Sequence, residues 1–96
     1  MTRVVVAEPA RDDLLALIRS HGLPASARER VRRSLAPLAL FPLLGPALEG
    51  AWSGYRFILG PWPWMLIVYA FDQKAGLVIV VAIEDARSAT SPRSGG

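Results

Sequence analysis

The sequence predicts an α+β fold in which two N-terminal helices pack on a small, mainly antiparallel four-stranded sheet, in the order β-α-α-β-β-β. Three features carry this prediction. Apolar residues recur at helical spacing in two stretches before residue 41. After residue 54 the spacing changes to alternation and then to solid apolar runs. Glycine and proline punctuate the changes of period. The 96 residues leave room for one domain, placed at 1–87, with a polar tail at 88–96 whose Ser, Thr, Pro and Gly predict flexibility.

The first element is a short β-branched strand, Val4-Val5-Val6, stopped at Glu8-Pro9. Pro9 suits a first helical position, and Asp12 and Asp13 sit in the first turn, where the helix dipole favours them. Ala10, Leu14, Leu17 and Ile18 form one apolar stripe, and Gly22 is placed to cap the helix end. A second helix starts near Ser26, where Ser26-Ala27-Arg28-Glu29 fits a capping box. Its apolar face runs through Val31, Leu35 and Leu38, and Glu29 is one turn from Arg33. Pro37 interrupts that face, so the spacing predicts a kinked helix ending before Pro42.

Residues 43–53 read as a loop, with Gly45, Pro46 and Gly50 as breakers. Tyr55, Phe57 and Leu59 alternate with Arg56 and Ile58, which predicts a half-buried strand. Gly60-Pro61-Trp62-Pro63 makes a turn. Trp64 to Phe71 is apolar on both sides, as a central strand covered on both faces should be. Asp72 to Gly76 forms a hairpin loop, and Leu77 to Ile83 is another two-sided strand.

Composition narrows the function classes. The chain has no cysteine and a single histidine, His21, so disulfides and thiolate metal sites are excluded, a structural zinc site is disfavoured, and no cofactor is predicted. Its longest apolar stretch, Leu35 to Leu48, is broken by three prolines and a glycine, and the others are too short to cross a bilayer as helices. The N-terminus turns acidic at Glu8 before a signal-peptide core forms. These points predict a cytoplasmic protein without a membrane partner. A net charge of +3 suits an acidic partner, whether RNA or protein, although ordinary solubility charge explains it equally well. The 52% hydrophobic content leaves apolar surface to spare for a partner.

The order of elements is similar to that of the RelE/ParE toxins of bacterial toxin–antitoxin pairs. The resemblance rests on Ala10 with Asp12-Asp13-Leu14, on Pro42-Leu43-Leu44-Gly45-Pro46-Ala47-Leu48-Glu49-Gly50, and on Tyr55-Arg56. It continues through Ile67-Val68-Tyr69 ahead of Asp72 to Arg87 past the last strand, spanning residues 4–87. The resemblance implies a type II toxin neutralised by a cognate antitoxin in a hetero-oligomer. Members of that family cleave messenger RNA on the ribosome with basic residues on the concave sheet face, or inhibit DNA gyrase. Arg56 matches a basic position of the first group, and Arg87 sits near its terminal arginine. Other family positions differ: Met65-Leu66 replaces a tyrosine–arginine pair, Glu84-Asp85-Ala86 replaces the residues before the end, and no terminal tyrosine follows. These departures leave enzymatic activity open and motivate an alternative, a non-toxic, catalytically degenerate binding or scaffold subunit.

Attack by a 2′-hydroxyl on RNA needs a base, cations around the phosphorane and an acid. The sequence offers Arg56 and Arg87 as cations, Glu84 or Asp85 as base, and Glu49 as a further base. Tyr69 is a candidate acid that its strand position reads more naturally as core. Each also has a structural reading, since Arg56 can keep a strand face wet and Arg87 can simply pair with Asp85 or Glu84. Arg28 and Arg32 share one helix face while Arg30 and Arg33 point elsewhere, so the cluster reads as solvated surface or as contact with an acidic antitoxin or RNA. Trp52, Trp62 and Trp64 fit base stacking, an anchor against an antitoxin, or packing over the core edge. His21, at a helix end, reads as a surface or capping residue.

Overall fold

A computed structural model describes residues 2–88; the predicted tail, from residue 89 onward, lies outside the described residues. The elements are β1 (Arg3–Val6), α1 (Glu8–His21), α2 (Ala27–Leu35), β2 (Arg56–Leu59), β3 (Met65–Asp72) and β4 (Leu77–Asp85). The strands form one sheet in the order β1-β4-β3-β2. β1 runs parallel to β4, and the other two pairings are antiparallel. The two-layer α+β architecture expected from the sequence is present.

α1 follows most of its local chemistry, but it begins at Glu8, so Glu8 is the acid of its first turn and Asp12 and Asp13, expected there, lie in the next one. Pro9 lies in its first turn, Ala10 and Leu14 are buried, and Gly22 adopts φ 60° so that its N–H reaches the Ile18 carbonyl. The start of α2 departs from expectation. Ser26 sits at φ −80°, ψ 2°, and its side chain makes no capping bond. A capping serine needs extended backbone to aim its oxygen at the first free N–H groups, and the turn after Pro24 denies Ser26 that conformation. The far end is also sharper than a kink. α2 stops at Leu35, and Ala36–Ala39 continues as a 3-10 turn that accommodates Pro37 and still buries Leu38. Leu40, the expected end of the apolar face, is exposed.

β3 is the centre of the molecule, buried from Met65 through Tyr69. Met65, Ile67 and Tyr69 join Ala10, Leu14, Val31, Leu35 and Leu38 in the core beneath the helices. Leu66 and Val68 face the other way, onto a smaller core covered by Leu48, Trp52, Tyr55 and Phe57 from the loop before β2 and from β2 itself. The two-sided apolar runs are therefore explained by helices on one face and a folded loop on the other.

A bulge reconciles the register of β3 and β4. Val68 pairs with Ala82, but Tyr69 pairs with Val80, which leaves Val81 as the extra residue. Val78 and Val80 consequently face the helices, Val81 and Ala82 face the loop, and Ile83 returns to the helix side. Beyond the end of β1, the Asp13 carboxylate accepts the Ile83 N–H at 3.0 Å and so completes the β4 edge.

Candidate functional site

The topology sends the candidate residues to opposite ends of the sheet. One end holds the β2–β3 turn, the C-terminus of α1 and the end of β4. The other holds the β3–β4 hairpin, the start of β1 and the loop leaving Ala39.

At the first end, Asp85 is the hub. Its Oδ1 accepts Arg87 Nε at 3.0 Å and the Arg87 backbone N–H at 2.9 Å, and its Oδ2 accepts Arg87 Nη2 at 2.9 Å. The same Oδ2 lies 3.0 Å from His21 Nε2 at the last residue of α1. Ser20 Oγ lies 2.8 Å from His21 Nδ1. Both contacts are satisfied when Nε2 carries the proton and the Ser20 hydroxyl donates to Nδ1. Direct bonding from Arg87, with a smaller contribution from His21, holds the Asp85 carboxyl well below the usual carboxylate range. The same pairing raises Arg87 further.

Aromatic rings extend this hub across the surface. The Trp64 ring stacks on His21 at 4.3 Å and 15° and lies 5.6 Å from the Arg87 guanidinium. Trp62 stacks loosely on Trp64 at 6.3 Å and 24°, and Arg30 of α2 sits 5.5 Å from the Trp62 centroid. Both tryptophans are half-buried against the helix-side core. The cluster joins α1, α2, the β2–β3 turn and the end of β4. Chemically it offers an oriented imidazole, a carboxylate, guanidinium groups and flat apolar faces.

Sequence reasoning treated His21 and Arg30 as surface residues and so missed this assembly. The available signal was Trp62-Pro63-Trp64, a turn presenting two rings that needed partners from elsewhere in the chain. Trp52 is not part of it. It packs on the far core, edge-on to Tyr55 at 5.7 Å.

Glu84, adjacent in sequence, points away from the hub. It pairs with Leu66 and so leaves the strand on the face opposite the helices. Burial, and then the nearby Asp13 carboxylate, raise its pKa above the ordinary value.

Arg56 lies at the second end. Its cross-strand partner is Tyr69, a helix-side core residue, so Arg56 leaves β2 on the helix face. Arg56 Nη1 donates to the Gly45 carbonyl at 2.8 Å, and the Gly45 N–H donates to Tyr69 Oη at 2.9 Å. A Cβ at residue 45 would collide with the Phe57 carbonyl, which explains the glycine there. Tyr69 and Met65 are four residues apart on β3, about 13 Å along the strand. Arg56 opposes the first and Asp85 the second, so Arg56 and Arg87 do not converge.

Arg28 and Arg32 line a groove of about 920 Å³ between β1, α1 and α2, together with Glu8, Arg11 and Asp12. Val4, Val31 and Leu35 are among its apolar lining. Arg32 and Arg33 also pair with Glu29, at 3.5 and 3.7 Å, and both are highly exposed. Glu49 lies next to the 3-10 turn Gly50–Trp52. Among the described residues, no group of three or more His, Cys, Asp or Glu side chains is gathered to hold a metal.

No family model matches the chain, and no curated protein matches it by sequence. Solved structures do match in fold. A chain of the intact RelBE toxin–antitoxin complex of E. coli is 15% identical with a TM-score of 0.65, covering 92% of this chain and all of that one. A metal-bound toxin from Helicobacter pylori is 18% identical with a TM-score of 0.63, over 88% of this chain and 94% of the other. A chain of the RelBE2 toxin–antitoxin complex of Mycobacterium tuberculosis is 20% identical with a TM-score of 0.57, over 88% and 96%.

Proposed function

We propose that this chain, which shares its fold with those toxins, is the toxin of a type II toxin–antitoxin pair. It arrests growth by binding an essential machine, the ribosome or DNA gyrase, and is held inactive by a cognate antitoxin. The observation that carries this reading is the extent of the likeness: the shared fold takes in nearly the whole of this chain and nearly the whole of each neighbour. Surplus exposed apolar surface supports a partner. The groove rimmed by Arg28 and Arg32 suits an acidic antitoxin segment. Action by binding is favoured over cleavage because the sheet face opposite the helices carries Leu66, Val68, Ala82 and Phe57 under a loop, not a cluster of cations.

A second reading is favoured by one observation, the imidazole of His21 held between Ser20 and Asp85 beside Arg87 and Trp64. In that reading the hub cleaves messenger RNA. His21 Nδ1, released from Ser20, takes the proton of the 2′-hydroxyl as that oxygen bonds to phosphorus. The bond from phosphorus to the 5′-oxygen breaks, the imidazolium returns the proton to that leaving oxygen, and Arg87 bears charge on the phosphorane beside the Trp64 ring. Arg56, committed to Gly45, holds a loop.

Two assays with purified chain test both readings: cell-free translation with transcript integrity followed, and DNA supercoiling by gyrase. Inhibition of either with intact transcripts is the expected result. Shortened transcripts that become full-length with His21→Ala or Arg87→Ala would establish the cleavage reading. Full activity of both machines at excess chain would overturn the toxin proposal and leave the non-toxic binding subunit.

A further inference from the structure

The two edges of the sheet are finished differently. β2 is covered at Arg56 and Phe57 by the chain that precedes it: Phe57 N–H donates to the Pro46 carbonyl, Leu48 N–H donates to the Tyr55 carbonyl, and Ala47 bridges Arg56. β1 is the opposite edge, and the chain covers it just before the strand begins, where Thr2 N–H donates to the Ala39 carbonyl at 3.3 Å. Backbone groups alternate in direction along a strand. Arg3 and Ala7 donate inward to the Gly76 and Val80 carbonyls, so Val5 points inward with them while Val4 and Val6 point outward. Among the described residues nothing meets the outward N–H and C=O groups of Val4 and Val6.

Such an edge is a template for another peptide strand, and neither a lipid nor a nucleic acid offers the alternating donors and acceptors that would fill it. Edges that stay single are guarded by proline, lysine or a bulge; Val4-Val5-Val6 has none of these. Val4 and Val6 pack toward the helices, and Val5 is 39% exposed on the other face. The strand is its own complement. About a two-fold axis through Val5, an antiparallel copy sets Val5 on Val5, and Val4 and Val6 exchange hydrogen bonds with Val6 and Val4 of the second copy. Every facing pair is then β-branched. Charge agrees with this pairing. The same rotation brings Glu8 of the second copy opposite Thr2, where Ala36 and Ala39 line the groove and Arg32 stands one turn before Ala36. Arg32 shares Glu29 with Arg33, and among the described residues neither Glu8 nor Arg28 makes an ion pair. The groove of about 920 Å³ leaves room for the incoming helix start.

We infer that two copies of this chain join through β1, antiparallel about Val5, so that one continuous sheet runs through both. The two-fold arrangement uses the open edge of each copy and closes the assembly. The paired edge is short, so the association is reversible. It does not depend on whether the chain is toxic, and a partner segment lying in the groove would compete with it.

The test is sedimentation equilibrium of the full chain from about 10 μM to about 1 mM, with amide exchange followed residue by residue at both ends of the range. The expected result is a monomer that becomes a dimer as concentration rises. The Val4 and Val6 amides should be protected in the dimer alone, and the Val5 amide at every concentration. Val5→Lys should weaken association about tenfold or more, because it sets two ammonium groups opposite each other across the axis. Glu8→Arg should weaken it separately. Both are surface side chains, so thermal unfolding of the dilute variants should match the parent. A monomer across the whole range overturns the inference. So does a dimer whose Val4 and Val6 amides exchange as fast as in the monomer, or one that either substitution leaves unchanged, since another surface would then hold it. Growth beyond the dimer overturns the two-fold arrangement.

Discussion

The two ends of the sheet are built from opposite materials. At the end holding Asp85, the exposed chemistry is aromatic and charged, and its groups are satisfied by one another: His21, Trp64, Trp62, Arg30 and Arg87 pair in a chain. At the end holding Gly45, polar groups are turned inward to fix a loop, and apolar side chains are turned out. The first end spends its surface chemistry internally. The second fixes Gly45 between Tyr69 and Arg56 and leaves an apolar surface. A partner is needed more at the second end than at the first.

The largest break in this contrast should come from Gly45→Ala. Its Cβ has no room against the Phe57 carbonyl, so the loop must lift and both anchors must fail; we expect a loss of about 3 kcal/mol in urea unfolding. Full stability in that variant would mean the loop is not locked. Next is Trp64→Ala, which removes the ring shared by His21, Trp62 and Arg87. A loss of about 2–3 kcal/mol is expected by the same method, with the change centred on α1 and β4 in hydrogen exchange. Tyr69→Phe is more selective, since it strands the buried Gly45 N–H and keeps the ring. It should cost about 1–3 kcal/mol and speed exchange in the loop alone.

The smallest effects are in pH dependence, and their signs differ between neighbours. Asp85 has a lowered pKa, so its pairing with Arg87 stabilises the fold above the ordinary aspartate value and is lost as pH falls through the lowered one. Arg87→Ala should therefore move the acid-unfolding midpoint upward. Glu84 has a raised pKa, so its favourable contribution is complete below the ordinary glutamate value and disappears as pH rises through the raised one. Glu84→Gln should stabilise the chain slightly at neutral pH and leave it unchanged in acid, as read by thermal melts across pH.

How far the sequence reveals this molecule depends on the range of each interaction. α1 was legible because Pro9, the apolar stripe and Gly22 are local signals with local causes. The two-sided strands were legible because covered faces need apolar residues on both sides. The bulge at Val81 was not, since a strand apolar on both faces keeps its appearance when the register slips by one. The Ser26 capping box failed on a single backbone angle that Pro24 influences from outside the motif. Asp85 and Arg87 were legible as a pair, being two residues apart. His21 was not, because its partners Trp64 and Asp85 come from elements brought near only by the completed fold.

The central claim is that this fold serves a toxin, and growth after induction tests it most directly. The chain is expressed alone and together with the product of whichever small gene adjoins its own. The account predicts arrest on expression of the chain alone and recovery on co-expression. Normal growth with abundant, folded chain would contradict it.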